Sequence, residues 1–139
     1  MRNTLSGKNQ ESMNVWFFSR GDNPYGNRLL KIIASCLPEK KIQIIRSVKK
    51  LLMKMRQPGG QPAILVLCLS STEELLQALV HGELLVEYRL IVILPDSEEE
   101  TIARGHALRP RFIACANQDL MEIPVVVSRM MKMQVPAYD

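Results

Sequence analysis

The sequence contains no apolar run near the roughly 18 residues needed to span a bilayer. Its first dozen residues, MRNTLSGKNQES, lack the apolar stretch of a secretory signal. These absences argue against membrane insertion and export, and a cytoplasmic chain is expected. Cysteine is scarce: Cys36, Cys68 and Cys115 are widely spaced and form no C-x-x-C. No histidine stands near them at ligand spacing, so all three are expected to be buried, reduced thiols. A reactive Cys68 would need His81 or His106 beside it, and nothing in the sequence brings either there. Neither GxGxxG nor GxxxxGK[ST] occurs, so no nucleotide cradle is spelled out.

The rest is ordinary globular material. The chain has 139 residues, 47% of them hydrophobic and 23% charged, enough for one domain with a sizeable core. Residues 1–12 are expected to form a flexible polar tail, and 13–139 a single domain. The charge is lopsided: residues 1–60 hold 12 Lys/Arg against three acids, whereas 61–139 hold six against 11. Such asymmetry favours oriented protein contact. The basic stretch from Lys40 to Arg56 contains no aromatic residue on which a base could stack, so nucleic acid is not an expected partner.

Period and punctuation give alternating strands and helices. The segment 14–19 (NVWFFS) reads as a first strand and 26–37 as a helix whose stripe is Leu29, Leu30, Ile33 and Cys36. A second strand, 41–48, is interrupted by Lys41, Gln43 and Arg46, a pattern suited to a sheet edge. A short amphipathic helix, 49–57, stops at Pro58. Strand 63–70 (AILVLCLS) is apolar throughout, as a central parallel strand is. The next helix begins at Thr72, with Ser71 and Glu74 as a capping pair and Gly82 as its stop. Residues 83–89 read equally as a helical turn or a pre-strand segment. Strand 90–94 follows, then a helix with Asp96 and Ser97 as caps and Glu98, Glu99 and Glu100 as its first turn. A fifth strand over 111–116 and a last helix over 119–133 complete the pattern. Five β/α units with right-handed crossovers make an α/β, doubly wound parallel sheet of order 2-1-3-4-5, a flavodoxin-like three-layer sandwich.

This cadence, clearest in "LIVILPDSEEETIARGHALRPRFIACANQDLMEIPVVVSRMM", resembles the CheY-like receiver domains of bacterial response regulators. The resemblance implies phosphoryl transfer at the carboxyl ends of the strands. It calls for two metal-binding acids after strand one, an aspartate ending strand three, Ser/Thr ending strand four and a lysine ending strand five. The carboxylate nucleophile needs the cations because charge gathers on the phosphoryl group. In this chain the matching tips end in Ser19-Arg20, Leu69-Ser70-Ser71, Leu94-Pro95 and Cys115-Ala116-Asn117. The set is absent, and no catalytic or metal-binding residue and no cofactor is expected.

The candidate crevice at the tips comprises Arg20, Asp22, Ser70, Ser71, Asp96 and Asn117. Arg20 is expected to take the metal's place by pairing with Asp22 or Asp96. The last helix is apolar on nearly all sides, more than one sheet face requires. Leu120, Met121, Val126, Met130 and Met133 therefore form a candidate interface. The resulting expectation is a degenerate, non-enzymatic receiver-like adaptor that docks an unidentified protein and forms a homodimer through that helix. The alternative is a small-ligand protein that holds a flavin or nucleotide phosphate on the loop SRGDNPYGNR (19–28). A hydrolase or redox enzyme using Cys68 ranks third.

Overall fold

A computed structural model describes residues 14–38, 41–59 and 61–132. The expected tail over 1–12 and the candidate Met133 lie outside these residues. In chain order the elements are β1 (Val15–Phe18), α1 (Pro24–Ala34), β2 (Ile42–Ile45), α2 (Val48–Arg56), β3 (Ile64–Cys68) and α3 (Thr72–Val80). They continue as α4 (Gly82–Leu85), β4 (Leu90–Leu94), α5 (Glu99–His106), β5 (Phe112–Cys115) and α6 (Glu122–Lys132). All strands are parallel, in the order β2-β1-β3-β4-β5. The expected α/β architecture and strand order are both found.

The two sheet faces are sorted by the period-two alternation of the strands. Val15, Phe17, Ile64, Val66, Cys68, Ile91 and Ile93 pack with Leu29 and Ile33 of α1 and with Ile123, Val127 and Met130 of α6. Trp16, Phe18, Leu65, Leu67, Leu90, Val92 and Leu94 pack on the other side with Leu51 of α2, Leu75 of α3 and Leu85 of α4. Residues of β1, β3 and β4 are buried from end to end, so these strands read as unbroken apolar runs. β2 is an edge strand on which Ile44 is 49% exposed, in keeping with its mixed sequence.

Several boundaries differ from the sequence reading, each for a local reason. α1 begins at Pro24, because Asn23 caps it and proline suits the first helical position. It ends at Ala34, which leaves Cys36 beyond the helix and exposed rather than buried. Gly82 does not stop α3: the helix ends at Val80, His81 is its C-cap, and Gly82 opens the four-residue α4. That turn settles the first part of 83–89. α5 starts at Glu99 with Glu98 at the cap position and no capping side chain; Asp96 instead accepts the Glu98 N–H at 3.0 Å. Among the described residues, no helix is long and apolar enough to cross a membrane.

Candidate functional site at the strand tips

The site forms where β1 and β3 end and the chain leaves to opposite sides of the sheet, the usual crevice of such folds. Ser47 and Ser71 cap α2 and α3 by accepting the N–H groups of Lys50 and Glu74, both at 3.2 Å. Glu74 stands at the third helical position, as a capping box requires, yet its carboxylate reaches one residue further back than expected. Its Oε1 accepts the Ser70 N–H at 2.7 Å and the Ser70 hydroxyl at 2.9 Å. Glu74 is 95% buried in terms of its surface, since only 5% remains exposed. Its Oε2 has no hydrogen bond and lies 3.7 Å from the Arg20 Nε.

Arg20 bridges to Asp22 as well, at 3.3 Å. One of its two expected partners is therefore present, and Glu74 is a second, unexpected one. No pairing with Asp96 is seen among the described residues. Asp96 is held below its ordinary carboxylate range by the Glu98 N–H, then by the Thr101 hydroxyl. Asn117 donates to the Ser97 hydroxyl at 3.3 Å. The tips thus divide. Arg20, Asp22, Ser70 and Ser71 are linked around Glu74, while Asp96 and Asn117 belong to the β4–β5 side.

The first loop is internally committed. Asn23 Oδ1 accepts the Gly26 N–H at 3.2 Å, the Asn27 N–H goes to the Asn23 carbonyl, and Asn27 Nδ2 donates to the Gly21 carbonyl. Arg46 donates to the Ser19 carbonyl and to Asn27 Oδ1, both at 3.2 Å. These bonds use several of the N–H groups that a phosphate would otherwise engage. Beneath the loop, Asn23 Nδ2 lies 3.8 Å from Cys68 Sγ. Burial above all pushes the Cys68 thiol up to about 12. It is therefore the neutral thiol at physiological pH, a poor nucleophile. Tyr25 is buried beside it with its hydroxyl unpartnered.

Between α2 and α3 the tips open into a groove of about 420 Å³, lined in part by Arg20, Arg46, Ser47, Ser71 and Glu74. Two arginines and two helix N-termini face a carboxylate that Ser70 and Arg20 already hold. Glu74, Asn23 and Arg46 were missing from the candidate residues. Glu74 was visible only as a capping partner, because its pairing with Arg20 spans 54 positions and depends on β1 lying beside β3.

On α6 and in the turn before it, the candidate interface separates by depth. Met121 is 59% exposed, Leu120 and Val126 are half-buried against the core, and Met130 is buried. Met130 is thus a core residue, because it shares a stripe with Ile123 and Val127 that faces the sheet. Val125, at 54% exposure, is the outward residue that the candidate set omitted.

The fold is that of a flavodoxin-like α/β domain with five parallel strands. Its likeness extends to a pilus assembly-related protein from Burkholderia pseudomallei, whose crystal structure superposes with a TM-score of 0.61 at 14% identity, covering 94% of this chain and 96% of that one. Identity this low carries the fold and nothing further. No family model matches the chain, and no curated protein matches it in sequence.

Proposed function

We propose that this chain is a degenerate receiver: a signalling or adaptor domain that works by docking to protein and performs no phosphoryl transfer. The observation that carries this reading is the tip of β3. Leu69 is buried there, Ser70 is hydrogen-bonded to Glu74, and the nearest carboxylate is held by Ser70 and Arg20. A carboxylate locked in this way is badly placed to attack an incoming phosphoryl group, and a guanidinium stands where a metal ion is needed. Exposed Met121, just before α6, and Val125 on it supply a contact surface for docking and for self-association. Three free cysteines accord with a reducing, cytoplasmic setting.

The test is intact-mass measurement after incubation with acetyl phosphate and Mg²⁺. The expected result is an unchanged mass in the wild type and in Glu74→Gln alike. A phosphoryl adduct that disappears in Glu74→Gln would overturn the proposal and make Glu74 the acceptor.

A further inference from the structure

Two surfaces of the molecule combine uncovered apolar side chains with charge of a single prevailing sign. The first lies beside α6. Arg89 stands just before β4, Arg111 just before β5, and Arg129 in the last turns of α6; all three line a groove of about 460 Å³ floored by Phe112, Val126 and Met130. None of the three guanidinium groups is ion-paired or hydrogen-bonded among the described residues. Glu122 also lines the groove without pairing with them. Burial, and then the charge of Arg111, lower the Arg89 pKa from its ordinary value. Among the described residues three guanidinium groups thus face one unpaired carboxylate, and the net positive charge favours an external anion. Exposed Val125 stands one turn before Arg129 on the same side of the helix, and exposed Met121 lies just before the helix begins.

The second surface is its chemical complement. No Lys or Arg occurs between Arg56 and Arg89. Within that stretch α3 and α4 expose Leu76, Val80 and Leu84 at four-residue spacing, with Val80 78% exposed. Glu83 and Glu87 are exposed beside them. α6 covers one face of the sheet and α3 and α4 the other, so the two surfaces point away from each other.

A symmetric contact through α6 would bring two net-basic grooves together, and a symmetric contact through α3–α4 two net-acidic faces. The unlike pairing joins apolar to apolar and net-acidic to net-basic surface. We propose that a second copy of this chain seats its α3–α4 face in the arginine groove beside α6 of the first, a head-to-tail contact that repeats from copy to copy. This deepens the docking reading above and rests on it.

Sedimentation equilibrium of the full chain and two neutralised variants tests the contact. At about 100 µM and low salt, where a contact with Kd near 10⁻⁴ M is substantially formed, the wild type is expected to grow beyond two copies and to dissociate as salt rises. Arg111→Gln/Arg129→Gln and Glu83→Gln/Glu87→Gln should each associate at least fivefold more weakly. Mixed one to one, they should form a heterodimer that grows no further, because one variant keeps only the acidic face and the other only the groove. A monomeric wild type, a wild type that stops at two copies, or assembly unaffected by both variants would each overturn the proposal. A monomer that still binds an acidic peptide through Arg111 and Arg129 would assign the groove to another protein. The acetyl phosphate result stands or falls separately.

Discussion

At the scale of single residues, the crevice is governed by what burial does to groups that would otherwise react. Cys68 is the clearest case. It is 1% exposed, and its thiol is pushed up from 9.0 to about 12, by burial first and by the charge of Glu74 to a smaller extent. Hydrogen bonds from Ser19 and Asn23 oppose that shift without reversing it. The folded state therefore keeps a proton that the unfolded chain releases near pH 9. Its contribution to stability is complete below pH 9 and is lost as the pH climbs toward 12. Between pH 8 and pH 10 this amounts to roughly 1.4 kcal/mol. Urea unfolding at these two values is expected to show the loss in the wild type and a loss smaller by about that amount in Cys68→Ala. Cavity formation lowers the variant's stability equally at both values, so the difference in slope isolates the thiol. Equal slopes would mean that the thiol is better solvated than its position implies.

At the scale of elements, what could be read from sequence was whatever depends on neighbours along the chain. The unbroken apolar runs of β3 and β4 marked the sheet centre, and the polar interruptions of β2 marked its edge. Helix ends were less legible, because a cap is settled by side-chain geometry over one or two positions. Asn23 caps α1 ahead of the expected start at residue 26, and Asp96 bonds Glu98 without occupying the cap itself. The long-range pairings of Glu74 and Arg46 are illegible for another reason. Their partners, Arg20 and Ser19, come near only when β1 takes its place between β2 and β3.

The junction of β1 and α1 tests how tightly that assembly is closed. A Cβ on Gly26 would stand 2.9 Å from Ser19 Cβ and closer still to the Ser19 hydroxyl. Helix propensity alone favours alanine over glycine by about 1 kcal/mol. The clash with Ser19 is worth about 1–3 kcal/mol in the other direction. Gly26→Ala is therefore expected to destabilise the fold, as read by the urea midpoint, and Ser19→Gly in the same chain should restore part of the loss. Gly105→Ala makes a useful contrast, since the atoms nearest its new methyl are the side-chain ends of Ile113 and Leu94, which move more readily than a backbone-anchored Cβ. It should cost less than Gly26→Ala.

At the scale of the whole molecule, stability runs from the middle of the sheet outward. β3 is hydrogen-bonded between β1 and β4, and every residue from Ala63 to Leu69 is buried. β4 is buried along its whole length between β3 and β5. β2 has a neighbour on one side only, and it exposes Ile44 while α2 covers it mainly through Leu51. Opening β2 together with α2 would break a single ladder and uncover one edge of one face. Releasing β3 would break two ladders and both apolar layers, which amounts to global unfolding. Hydrogen exchange followed by mass spectrometry should therefore show peptides from 64–68 and 90–94 exchanging slowest, at the rate of complete unfolding. Peptides from 42–45 should exchange faster, and their protection should fall less steeply with added urea, because their opening exposes less surface. Equal protection of β2 and β3 would mean that the sheet opens only as a unit. The head-to-tail contact adds a second expectation to the same measurement. It covers α3–α4 and α6, not the β2 edge, so raising the protein concentration should slow exchange at 82–87 and 122–132 and leave 42–45 unchanged.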